Sequence, residues 1–128
     1  MPFTRIALRE GKPAAYRRAL SAGIQQALTR VFNVPDDDLF MAVTEHRDDN
    51  FLYDRQYLGI ARSDDLVMIQ ITVTDSRGPE QKRALYRQIV EALAASPGVR
   101  PEDVFINLVE VRKENWSFGN GIAQYAPE

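Results

Sequence analysis

The 128-residue chain has no cysteine and a single histidine. These two absences exclude a disulfide scaffold, a thiolate metal site, a cysteine nucleophile and a multi-histidine zinc site. Charge of one sign is also scarce. Sixteen basic residues stand against 18 acidic ones, and the net charge of −2 supplies no field to attract nucleic acid or an anionic membrane. No apolar run approaches the length that spans a bilayer, and Met1-Pro2-Phe3-Thr4-Arg5 lacks the basic region and apolar stretch of a secretion signal. A soluble, cytoplasmic protein with neither nucleic-acid nor membrane partners is expected. Phosphate-binding loops, the Gly-x-Ser-x-Gly elbow and His-Glu-x-x-His are missing, and Gly119-Asn120-Gly121 does not satisfy the dinucleotide pattern. Asp36-Asp37-Asp38 lacks the spacing and central glycine of a calcium loop. No metal and no cofactor is implied.

An internal repeat is present. An ungapped shift of 65 residues aligns 2–45 with 67–110, and 11 of the 44 paired positions are identical. Random pairing would give about three at most at ordinary composition. The identities include Ile6/Ile71, Leu20/Leu85, Ile24/Ile89, Leu28/Leu93, Val34/Val99, Asp38/Asp103 and Phe40/Phe105. A repeat occurring twice reads as a duplicated supersecondary unit, because a solenoid needs at least three copies to bury its core. With 45% apolar residues, the chain is expected to form one domain over 1–128 with pseudo-repeats 2–45 and 67–110.

Periodicity supplies the content of each unit. Pro2–Leu8 and Val67–Val73 are short, apolar and β-branched, as strands are. Pro13 and Pro79 sit where a helix tolerates proline, and apolar residues then recur at helical spacing: Tyr16, Leu20, Ile24, Ala27, Leu28 and Val31 in the first copy, Leu85, Ile89, Ala92 and Leu93 in the second. The helices should stop near Asn33-Val34-Pro35 and Ser96-Pro97-Gly98, after which Leu39–Glu45 and Val104–Val111 resume strand composition. The unit is β-α-β and the class α+β. Right-handed crossovers place both helices on one face of a single sheet. Val67–Val73 is nonetheless apolar nearly throughout, as expected of a strand buried on both faces. Since the chain has no third long helix, another copy of the protein is expected to cover the bare face. Outside the repeat, residues 47–62 read as a turn with a short hairpin or extended excursion, and 114–128 as a surface hairpin with positive φ around Asn120.

Several residues are suited to chemistry, each with a plainer use. Methionine before a small residue is normally removed, which would turn Pro2 into a secondary amine. Burial near a cation would lower that amine toward neutrality, as suits a general base. Alternatively, the proline simply starts an edge strand. Arg77, between a strand end and Pro79, lies where ligands bind in strand-helix units and could grip a carboxylate with two hydrogen bonds, or it is a solvated loop arginine. His46 reads as a structural hydrogen-bonder. Trp116, Phe118 and Tyr125 could wall an apolar pocket or pack a subunit interface.

The proline behind the initiator methionine, the duplicated β-α-β unit, the arginine before the second helix and the aromatic, glycine-bearing C-terminal segment together resemble the tautomerase superfamily. Within it, the chain is similar to the malonate semialdehyde decarboxylase group over essentially its whole length. The most specific stretches are Val34-Pro35-Asp36-Asp37-Asp38, Glu45-His46-Arg47, Pro79-Glu80-Gln81-Lys82 and Asn115-Trp116-Ser117-Phe118-Gly119-Asn120-Gly121. The resemblance implies a four-stranded mixed sheet with two antiparallel helices on one face, assembled as a homotrimer. It implies Pro2 as the catalytic amine, Asp38 as its assistant, Arg77 as carboxylate binder, and Trp116, Phe118 and Tyr125 as the apolar wall. Asp38 has a plainer use as well, because its repeat partner Asp103 suggests that both cap a turn. Asp75 stands where that group carries a second arginine, and an acid there would repel a substrate carboxylate. The activity expected is therefore cofactor-independent tautomerisation of a small 2-oxo acid. The alternatives are decarboxylation or hydration of a 3-oxo acid such as malonate semialdehyde, and a non-catalytic trimeric binding scaffold.

Overall fold

A computed structural model describes residues 1–128. Its order is β1 (Phe3–Arg9), α1 (Ala14–Phe32), β2 (Met41–His46), β3 (Val67–Thr74), α2 (Pro79–Ala95) and β4 (Val104–Val111), joined in places by short 3-10 turns. The strands form one sheet in the order β2-β1-β3-β4. β1 and β2 are parallel, β3 and β4 are parallel, and the two halves meet antiparallel between β1 and β3. Each half is thus the β-α-β unit expected from the repeat, and the antiparallel junction makes the helices antiparallel.

Helix boundaries follow local chemistry. Pro13 sits at the N-cap of α1, and Pro79 is the first residue of α2, where its missing N–H leaves no bond unmade. Asn33 ends α1 in the left-handed region at φ 57°, its N–H bonded back to the Leu28 carbonyl. The repeated apolar positions are the core: Ile6, Leu20, Ile24, Leu28 and Val34 in one half, Ile71, Leu85, Ile89, Leu93 and Val99 in the other, are all buried. Burying each large aliphatic side chain contributes about 1.5–3 kcal/mol. Gly23 lets the helices approach closely, since a Cβ there would lie 3.0 Å from Leu93 Cδ2.

The sheet face away from the helices departs from expectation in one respect. Gln70, in the middle of β3, is exposed and donates to Asn107 Oδ1 at 3.0 Å, with Arg5 opposite it on β1. A polar row therefore divides this face, and its apolar exposure is carried by Phe3, Phe105 and Val109. β2 starts two residues later than its composition suggests, leaving Leu39 and Phe40 half exposed.

Neither segment outside the repeat forms a hairpin. Residues 47–66 coil through turns at Asp48–Asn50 and Tyr57–Gly59. Side chains, not a strand ladder, hold the segment. Arg9 pairs with Asp48 and Asp64, Arg55 with Asp64, and buried Asp103 accepts from the backbone and hydroxyl of Ser63 at 2.8 and 2.6 Å. In the C-terminal segment Gly119, Asn120 and Gly121 all adopt positive φ, as expected around Asn120. Three such residues in succession coil the chain, and no paired strand can run through them. The Gln124 side chain closes the coil, accepting from Phe118 N and donating to the Gly119 carbonyl.

Candidate active site

The antiparallel β1–β3 pairing puts the start of the chain beside the end of β3, because Phe3 lies opposite Thr72. The same end of the molecule receives the C-terminus of α1 and the N-terminus of α2. The connection from α1 to β2 also passes here, since Thr4 N donates to the Phe40 carbonyl at 3.0 Å. Residues far apart in sequence converge around the chain's first nitrogen atoms.

Asp38 pairs directly with the Met1 amino group, and its side chain is largely shielded. Pro2 is buried behind it. Burial first, and the nearby positive charge of Arg77 second, lower the Met1 amine from 8.0 to about 6. The negative charge of Asp38 pulls the other way. Arg77 is partly buried, which lowers its own proton affinity. Its Nη2 donates to the Phe32 carbonyl at 2.8 Å and its guanidinium lies 4.6 Å from the centre of the Phe32 ring. Gln81 donates to the neighbouring Val31 carbonyl at 3.0 Å. The carbonyls that α1 cannot satisfy internally are thus taken by side chains opening α2.

The aromatic residues assemble from the C-terminal coil. Trp116 and Phe118 stack at 5.3 Å with only 9° between their planes, and Tyr125 meets Phe118 edge-on at 4.8 Å. Trp116 Nε1 donates to Thr74 Oγ1 at 3.2 Å, and that hydroxyl also reaches the Met1 sulfur at 3.5 Å. Burial raises the Tyr125 phenol. A hollow of about 430 Å³ opens among Pro2, Phe3, Leu39, Phe40, Trp116 and Phe118. Asp38, Arg77 and Tyr125 stand outside its lining, the first two at the amine and the third behind Phe118.

Three residues at this end were not legible beforehand. Thr74 ends a strand and gave no pattern beyond a polar residue in an apolar run. Phe40 was visible only as a repeat identity, and lies 6.2 Å from Phe118 ring to ring. Gln25 carried no signal. His46 stacks on Phe51 at the opposite end of the sheet, in keeping with a structural role. Asp38 and Asp103 differ in use despite their pairing in the repeat: Asp103 anchors the 63–65 turn, whereas the Asp38 carboxylate goes to the amine.

Two family models, both described as "Tautomerase enzyme", match this chain, one over residues 38–119 and one over 2–59. The probable tautomerase YusQ of Bacillus subtilis (strain 168) is 44% identical over 97% of this chain and 98% of its own length. The probable tautomerase YrdN of the same organism is 31% identical over 98% and 96%. Among solved structures, a malonate semialdehyde decarboxylase superposes with a TM-score of 0.90 at 30% identity, covering 96% of this chain and 95% of that one. The FG41 malonate semialdehyde decarboxylase inhibited by 3-bromopropiolate gives 0.90 at 34%, covering 96% and 93%. A fused 4-OT described as a symmetric trimer shares the fold at 18% identity, with a TM-score of 0.77 over 94% of each chain.

Proposed function

As the chain belongs to the tautomerase family of enzymes, we propose that it interconverts the keto and enol forms of a 2-oxo acid with Pro2, freed by removal of Met1, as the general base. The neutral prolyl nitrogen takes a proton from C3 while Arg77 holds the carboxylate. The resulting prolyl ammonium then delivers that proton to the C2 oxygen, and the enol leaves with no cofactor consumed. Trp116 and Phe118 shield the enolate from water, with Tyr125 backing the Phe118 ring, and Asp38 steadies the ammonium between the two transfers. One observation carries this reading: Pro2 lines an apolar hollow with Phe40, Trp116 and Phe118, at the end of the chain where Asp38 meets the Met1 amine, and burial of that kind lowers an amine's affinity for protons toward what a general base needs.

The second reading is decarboxylation or hydration of a 3-oxo acid. It draws on the contact between the Asp38 carboxylate and the amine, which favours a protonated nitrogen able to act as an acid, and on the 30–34% identity to malonate semialdehyde decarboxylases. Asp75, two residues from Arg77, weighs against it by opposing a second grip on carboxylate. Assembly as a homotrimer belongs to the same proposal, supported by exposed Phe3, Phe105 and Val109 on the helix-free face and by the trimeric neighbour.

The test is Pro2→Ala on protein whose mass shows Met1 removed. Exchange of the C3 protons of a 2-oxo acid with D2O should fall by about 10²-fold or more. Unchanged exchange in the variant overturns the mechanism, and carbon dioxide release without exchange favours the second reading.

A further inference from the structure

Gln25 lies in the middle of α1, on the side facing the connection to β2. Its Nε2 donates to the backbone carbonyl of Asp38 at 3.2 Å. The same side chain buries Oε1 with no protein partner. An amide with one end unpaired is a poor choice for packing alone, since an unmet buried acceptor costs about 1–3 kcal/mol and a leucine would carry no such penalty. What the amide does achieve is a tether. Asp38 N donates to the Pro35 carbonyl at 3.0 Å, closing a turn, and two residues later the Phe40 carbonyl accepts from Thr4 N. Those two bonds tie the segment to itself and to β1. The Gln25 bond fixes the Asp38 carbonyl to α1, so the peptide cannot rotate and swing the carboxylate, which here meets the Met1 amine, away from the first residues of the chain.

We infer that Gln25 is a positioning residue, one that acts on the amine only through Asp38 by locking the Asp38 peptide. This rests on the reading of Pro2 as the working amine. The charged groups facing the Met1 amine, one residue from the Pro2 nitrogen, are Asp38, from the α1–β2 connection, and Arg77, from the β3–α2 loop; β3 and the C-terminal coil bring the uncharged Thr74 and Trp116. Arg17, Arg18, Arg30 and Asp36 share a groove with Gln25 and are common to wild type and variants.

The experiment replaces Gln25 with methionine, of similar length and without the amide, in Met1-free protein. The pH dependence of kcat/KM for C3 exchange is recorded in the Asp38 and Asp38→Asn backgrounds. A carboxylate in contact favours the charged amine, so loosening it should move the acid limb to lower pH, by about half a unit to one unit. The same substitution in the Asp38→Asn background should move it no further, because the group through which Gln25 acts has already been neutralised. An acid limb unmoved by Gln25→Met in an enzyme that still depends on Pro2 overturns the inference and leaves the mechanism standing. Equal shifts in both backgrounds overturn it as well. Loss of Pro2 dependence is a different failure, that of the mechanism itself. If methionine prevents folding, Gln25→Asn, one methylene too short to reach Asp38, is read by the same criteria.

Discussion

Replacing Arg77 with methionine removes a guanidinium to which the structure and the proposed mechanism together give three jobs, and each leaves a separate mark. Charge-assisted hydrogen bonds to a carboxylate contribute about 2–3 kcal/mol, so KM for a 2-oxo acid should rise about 30- to 150-fold. Arg77 is the second cause, after burial, of the Met1 amine's lowered affinity for protons, and the same positive charge would act on a nitrogen freed one residue later. Without it the acid limb of kcat/KM should move to higher pH, yet stop short of an unperturbed amine because burial remains. The Phe32 carbonyl also loses its 2.8 Å donor at the end of α1. That loss is worth about 1 kcal/mol, which for a chain of this size lowers Tm by about 3–6 °C. Arg77→Lys separates the marks: it keeps the charge and loses the planar fork, so KM should rise while the acid limb stays in place. The assay is the pH profile of C3 exchange across about pH 5 to 9, with thermal melts of all three proteins. A KM within about threefold of wild type in Arg77→Met, or an acid limb that moves downward, would refute the reasoning.

Thr74→Val preserves shape and deletes the acceptor of the Trp116 indole N–H. Because the chain has one tryptophan, its emission reports on this ring alone; it should shift to the red as the ring loosens, with stability lower by about 1–3 kcal/mol. Unchanged emission would show that the bond does not orient the indole. Chain that retains Met1 should gain stability as pH rises between about 6 and 8.0. Over that window the unfolded amine, at its ordinary value, still binds a proton that the folded one has released. Denaturant midpoints at three pH values, set against N-acetylated protein that cannot titrate there, check the sign.

The duplication and the two periodicities made the six main elements legible, because identical residues recur where the core needs them: Leu20 and Leu85, Ile24 and Ile89 and Leu28 and Leu93 all enter one buried cluster on the sheet's covered side. Pro2, Trp116 and Phe118 were legible as one hollow's lining through the resemblance, not through spacing, since 114 positions separate the first two. The excursions were not legible. Turn-rich sequence flanked by aromatics reads as a hairpin, and only the tertiary ion pairs of Arg9 and the hold of Asp103 on Ser63 decide for a coil. Gln25 and the bond from Arg77 to the Phe32 carbonyl were invisible for a related reason. Each side chain meets a backbone atom of a distant residue, and a backbone carbonyl leaves no letter in the sequence.

The near-twofold symmetry of the duplicated halves means that this end of the sheet has a twin at the other end. The shift that pairs the repeats sets Val67 against Pro2, Lys12 against Arg77 and Asp103 against Asp38. The twin has a cation and a carboxylate but can never have the amine, because the Val67 nitrogen is a peptide nitrogen in the middle of the chain. A fused pair of units possesses only one beginning. The space beside Lys12 is correspondingly small, about 60 Å³ against about 430 Å³ beside Pro2, with Lys12 paired to Asp65 and Asp103 wholly buried under Ser63. On the proposed reading only one of two equivalent ends can offer a catalytic amine, and at the other the polar residues serve as mortar for the loop that joins the halves.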